Sequence, residues 1–466
     1  MMAGQPILQC VGPSYWLADR KTAVQRSINL WMMVVEGLGE QGTPVLESAP
    51  GLSLVHDFGD DISGMRAADG RSFIVSGSTL YEMTASEALT ARGTLPSSAS
   101  FVSMVNGEGQ LAIVDGTSLS VLNLTTNVLG SVMSAGWLGS KLVDFLDGYF
   151  IFVEPDTERF YLSQIDDATT LDALDFSSAD TLPDTIVAQC VIRRELYLLG
   201  QRSIEVWVDS GGADFPFVRY QGTPIDVGVV GYRAWTTAGG SIVWVGSSIK
   251  GGPYVYMLNG YQAQRISNQS IEQQLAKSTD IASARVWSYQ DAGSEFALFD
   301  IPGAETTWAY DLATQQWHER GEKDGGDWIP SRVVHHFYFN NVHYVAGGSK
   351  LYRMSRDYHD LAGDPLVRER TWAHLRSPSL EPVPYRSLEV LCTTGDTTAA
   401  NITLEVSNDN GAVFGAPLAR SLGAVGRRVQ RVRWGPLGTC PAGASRVHRL
   451  RTSDAVPLTI QGATIL

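Results

Sequence analysis

One pattern limits what this chain can fold into: an apolar hairpin that recurs seven times. A short apolar run is followed by a turn, then by a second strand that usually carries an aromatic residue. The first runs occupy 73–75, 111–114, 150–153, 196–199, 242–245, 296–299 and 342–345. The second strands begin near Leu80, Leu119, Phe160, Ile204, Tyr254, Trp308 and Leu351. Between them stand turn residues such as Asp115-Gly116, Pro155-Asp156 and Gly347-Gly348. Gly and Asp tolerate positive φ and Pro presets a turn, so these are hairpin signals with a mechanism. A further strand precedes each pair, as at 101–105, 186–192 and 333–339, and a fourth often follows, as at 90–95, 262–266 and 316–319. Four strands repeated every ~40–50 residues predict a β-propeller, because a lone four-stranded sheet cannot bury both faces.

Seven blades are expected, or six if one unit is an insertion. The seventh unit lacks a fourth strand, since the chain turns polar at Ser355-Arg356-Asp357. Residues 52–58, just before the first unit, can supply it and leave no open edge. The expected domains are an N-terminal arm at 1–45, the propeller at 46–365 and a C-terminal β-sandwich at 366–466. The sandwich is read from alternating runs at 387–392, 402–407, 427–434, 446–451 and 458–460. The only helix expected is short, around 270–276.

The chain has 466 residues, 44% hydrophobic and 18% charged, with formal charge −14. That excludes a disordered chain and disfavours nucleic-acid binding by the whole surface. Charge is uneven: residues 366–466 hold 12 Arg, no Lys and 7 acidic residues, a balance of +5 that leaves −19 to the first 365. Two modules facing different partners are implied. Cys10, Cys190, Cys392 and Cys440 form no C-x-x-C pair and read as buried free thiols. No signal peptide is recognisable, and the apolar stretch 28–35 is too short to cross a bilayer, so no membrane anchor is expected.

Motifs for chemistry are weak. Gly37-Leu38-Gly39-Glu40-Gln41-Gly42 matches G-x-G-x-x-G, but Pro44 and Pro50 follow where a dinucleotide site needs a helix. His335, His336 and His343 share a hairpin without a carboxylate or thiol to complete a metal shell, and read as an aromatic strand. The stretch from Ser407 through Asp409, Gly411 and Phe414 resembles an Asp box, a sialidase turn, and reads as a structural turn. No catalytic residues, cofactor or metal are expected, and the chain is not read as an enzyme. The alternative kept open is a glycan-binding or glycan-cleaving, sialidase-like propeller, which would need an arginine cluster on the axis.

The run from Ser421-Leu422-Gly423 to Gly426-Arg427-Arg428, then Arg431-Val432-Arg433-Trp434-Gly435-Pro436, resembles a signature of short-tailed double-stranded DNA phage tail proteins. The turn from Ser407 to Gly411, Pro50-Gly51-Leu52, and Ser203-Ile204-Glu205-Val206-Trp207 with Gly228-Val229-Val230-Gly231 fit the same pattern in the same order. The chain is similar to the packaged-DNA stabilisation, or tail hub, proteins of those phages. The resemblance implies a virion tail component assembled in the host cytoplasm. It also implies a homo-oligomer, a hexameric ring by analogy. The implied partners are the portal adaptor (head-to-tail connector) above and tail needle, fibre or tailspike proteins below. Packaged DNA would pass without sequence-specific binding. Arg427, Arg428, Arg431 and Arg433 are the candidate partner interface, since alternating residues of a strand share one face.

Overall fold

The computed structural model describes residues 7–8, 10–17, 23–35, 42–180, 182, 184–212, 214–220, 222, 225–372, 375–376, 381–394, 400–423 and 429–465. The described residues are all-β apart from the helix Gln269–Lys277 and one 3-10 turn. Seven four-stranded antiparallel units follow one another. The strand nearest the axis in each is Ile62–Ala68, Ser103–Gly107, Val143–Leu146, Ile186–Ile192, Trp235–Ala238, Arg285–Asp291 and His335–Phe339. The first four of these pack in sequence against each other. Glu195–Gly200 then meets Gly228–Val229 of the fifth unit, Trp235–Ala238 meets Arg285–Asp291, and that strand meets His335–Phe339. His335–Phe339 packs against Ile62–Ala68, so the circle closes. The seventh sheet takes its outer strand from the other end: Gly51–Asp57 pairs antiparallel with Lys350–Ser355.

The second strand of each blade explains why the repeat is visible. Arg71–Ser76, Gln110–Val114, Tyr149–Val153 and Glu195–Gly200 are buried at every position after the first. Both faces of such a strand meet a neighbouring blade, so the alternation of a half-exposed strand is lost. Leu146, Ile151 and Phe160 of the third blade thus share one core with Ile186, Leu198 and Trp207 of the fourth. Close approach near the axis demands glycine. A Cβ at Gly231 would overlap the Ala282 carbonyl oxygen of the next blade.

The sandwich is not self-contained. One sheet runs Leu30–Val35, Thr43–Ser48, Thr459–Ile465, Leu388–Thr393, Val429–Trp434, with Ile7–Leu8 also paired to Thr459–Ile465, so three of its six strands come from the N-terminal segment. The other is continuous with the propeller. From the sixth blade's outer strand Gln316–Asp324 the order runs through Val24–Ile28, Arg368–Thr371, Ser445–Thr452, Asn401–Ser407 and Leu418–Ser421. The segment read as an arm is therefore woven into both modules. Its strand Val24–Ile28 pairs parallel with the blade at Ile28 and Glu319, and antiparallel with Arg368–Thr371. Its polar sequence hid this, because its polar groups are satisfied across the junction and not by water.

Candidate interaction surfaces

The junction is ionic and buried. Arg26 donates to Glu319, whose carboxylate is fully buried, and pairs with Glu305 at 3.1 Å. Arg451 pairs with Glu369 at 2.6 Å, and Arg449 Nε donates to Glu405 at 2.7 Å. Burial pushes the Glu369 carboxyl up, and Arg451, Arg26 and Arg449 outweigh it, so the group sits below its usual range. The strand Arg368–Thr371 alternates sides. Glu369 faces these arginines, while Arg368 and Arg370 point into protein at 1% and 0% exposure. Arg370 donates to the carbonyls of Cys10 (2.5 Å), Pro13 (3.1 Å) and Arg26 (3.2 Å), and to Ser27 Oγ at 2.8 Å. Burial lowers its pKa to about 10, with Cys10 acting the other way. Sequence reasoning missed this strand, since Arg368-Glu369-Arg370 reads as solvent-facing. The one available signal was the alternation of charge sign, which suits a strand with partners on both faces.

Of the candidate interface arginines, Arg427 and Arg428 lie outside the described residues. Arg431 and Arg433 project from Val429–Trp434, their side chains 70% and 64% exposed. Leu391 faces Arg431 across the ladder and Glu389 faces Arg433. The buried Glu389 carboxylate binds Arg431 and lies 3.5 Å from Arg433. Arg420 of the adjoining strand Leu418–Ser421 donates to the Arg433 carbonyl at 3.2 Å. Two exposed arginines thus share one carboxylate, and a third, Arg420, lies beside them. Exposed Val429, Leu391 and Leu418 lie beside them.

A cavity of about 850 Å³ opens near one mouth of the axis, lined by Lys141, Gln189, Arg202, Tyr232 and Ser283 among others. Beside it Arg233 lies 4.5 Å over the Phe101 ring, and Arg285 pairs with Asp300 at 3.3 Å. These guanidinium groups are covered by a ring and a carboxylate, unlike a cluster open to a ligand's carboxylate. The Asp-box-like turn is held by its own side chains and by the strand Ser445–Thr452, whose Arg446 donates to Asn408 at 2.8 Å. Ser407 Oγ donates to Asp409 (2.5 Å), which accepts Val413 N–H (3.0 Å), and Gly411 takes φ +82°. In the histidine hairpin Tyr338 pairs with His343, and His336 Nε2 lies 3.0 Å from His343 Nδ1. Loss of water around His336 holds its pKa down to about 3, and His343 adds to that. The two imidazoles stack as neutral rings beside Trp287 and Tyr289. Among the described residues no three His, Cys, Asp or Glu side chains gather as a metal site would require. All four cysteines are buried and unpaired, and no described helix is long and apolar enough to cross a membrane.

Among solved structures the chain is similar to the N-terminal domain of Nup159 at 10% identity, covering 72% of this chain and 97% of that one, with a TM-score of 0.42. It is also similar to BamB from Moraxella catarrhalis at 12% identity, covering 71% and 97%, with a TM-score of 0.42. Likeness at that level says nothing of function. No curated protein sequence matches significantly. Two family models do match: the β-propeller of bacteriophage P22 Gp10 over residues 23–348, and its β-sandwich over 379–466. The propeller match begins at residue 23, at the start of the strand that joins the blade to the sandwich. With both modules matched in order, this chain belongs to the bacteriophage P22 Gp10 family of DNA-stabilisation proteins, a structural and not an enzymatic family.

Proposed function

We propose that this chain is the hub, or nozzle, of a short-tailed phage tail. Several copies, six by analogy with the family, form a ring below the portal and its adaptor. The ring extends the DNA channel, retains the packaged genome and anchors the distal needle, fibre or tailspike proteins. The observation that carries this reading is the ordered match of both modules to one family. The −19 balance of the first 365 residues fits a channel that phosphates pass without sticking. The exposed arginines of Val429–Trp434 suit an acidic protein surface.

Gold-labelled antibody on purified virions tests the placement, with label expected at the tail below one capsid vertex. Unlabelled but tailed particles would remove the reading. Genetic depletion tests the role: heads should fill with DNA and then lose it, whereas stably full heads would separate this chain from genome retention.

A further inference from the structure

Two surfaces of this chain complement each other and cannot meet within one molecule. The first is the outer strand of the third blade, Asp167–Ser178, the terminal strand of its sheet. Its register with Arg159–Gln164 breaks: Ser163 faces Leu171, and Tyr161 already faces Phe176. Residues 172–175 therefore bulge away from the blade opposite a single partner residue. Leu174 stands 80% exposed on the bulge between Asp172 and Asp175, with Ile165 and Phe176 exposed nearby. Burial and the neighbouring Asp172 both raise the Asp175 carboxyl, so the negative charge here is not balanced. The nearby cations have other carboxylate partners: Arg159, which lies 5.2 Å over the Phe176 ring, pairs with Glu154 at 2.6 Å, and Arg219 reaches Asp180 at 3.4 Å.

The second surface is the exposed face of Val429–Trp434, where Arg431 and Arg433 share the Glu389 carboxylate and Arg420 donates to the Arg433 carbonyl, beside Val429 and Leu391. It too lies on the terminal strand of its sheet. The continuous sheet leaves the propeller at the sixth blade and ends at Leu418–Ser421, which packs on this strand. In a closed circle of seven, the blades opposite the sixth are the second and third. The basic tip and the acidic rim thus sit at opposite ends of the molecule.

We infer that copies of this chain join head to tail, the basic sandwich edge of one on the acidic bulge of the next copy's third blade. This rests on the reading of a ring of copies and names the contact that builds it. Apolar side chains on both surfaces supply the buried centre, and the charges set orientation. Because the two surfaces differ, the contact is heterologous, and it builds a ring when each step turns by a whole fraction of a full circle without rise.

Assembled particles carrying Leu174→Cys and Val429→Cys test it with a short bis-maleimide, the native thiols being buried. A ladder of covalent multimers is expected. Particles that contain the chain but yield only monomer would overturn the contact and leave the ring reading intact. Unsubstituted particles lacking the chain would overturn the ring reading itself. As a second measurement, Asp172→Lys with Asp175→Lys, or Arg431→Glu with Arg433→Glu, should each cut incorporation about tenfold. All four changes in one chain should restore it. Undiminished incorporation of both pairs would count against the inference.

Discussion

The most regular device in the propeller is a pair of residues. Every blade joins its first and second strands through a two-residue turn with both φ values positive. The pairs are Asp69-Gly70, Glu108-Gly109, Asp147-Gly148, Arg193-Arg194, Gly239-Gly240, Ala292-Gly293 and Asn340-Asn341. That geometry matches the strand twist and favours Asn, Asp and Gly. Arg193 and Arg194, at φ 54° and 62°, adopt it at a cost. Replacing them as Arg193→Asn with Arg194→Gly should stabilise the protein by about 1 kcal/mol, read as a raised Tm. The exposed pair of Arg194 with Asp147 is lost, which offsets little. Buried imidazoles carry a pH dependence. His448 is 1% exposed and burial holds its pKa down to about 3, below an unfolded value near 6.5. Its neutral form is therefore present at full stability above pH 6.5, and stability falls as acid charges the unfolded chain. Between pH 7.5 and 5 the loss from this group is about 2 kcal/mol. His448→Gln should flatten the denaturation profile by that amount, and an unchanged profile would refute the assignment.

Among elements, strands buried on both faces were legible in the sequence and those at the junction were not. Arg71–Ser76 or Glu195–Gly200 announces itself as an unbroken apolar run. The shortfall of the seventh unit was likewise visible in the polar turn after Met354, where Gly51–Asp57 pairs. Arg368–Thr371 and Val24–Ile28 are written in residues that normally face water, and only the fold shows their partners. The same blindness applied to the acidic bulge, whose exposure depends on a register break that local periodicity does not reveal. The junction strand yields a strong expectation. Arg370→Met leaves three carbonyls and one hydroxyl buried without this donor, at a cost of about 3–5 kcal/mol. Limited proteolysis should then cut near Cys10–Trp16, a segment the native chain protects. In the blades, Gly231→Ala forces a Cβ into the Ala282 carbonyl and should cost more than about 2 kcal/mol. A neutral result by chemical denaturation would show that the blades can part there.

At the scale of the whole molecule, the two family modules are one mechanical body. Deleting residues 1–29 removes the strand lying between Gln316–Asp324 and Arg368–Thr371. Calorimetry should then show two separate melting transitions where the full chain shows one, and a single transition would mean the modules cooperate by another route. The two-module order was readable from repeat spacing and composition. The splice between modules was not, because it is made by residues far apart in sequence. From the axial strand Arg285–Asp291 to Leu418–Ser421, backbone hydrogen bonds run across nine strands without a linker between the modules. Such a sheet behaves as a lever with no joint. Torque applied at its tip travels along the ladder to the axial strand of the sixth blade. A load on the sandwich edge is therefore carried by the sixth blade as strain along its ladder, with no hinge to take it up.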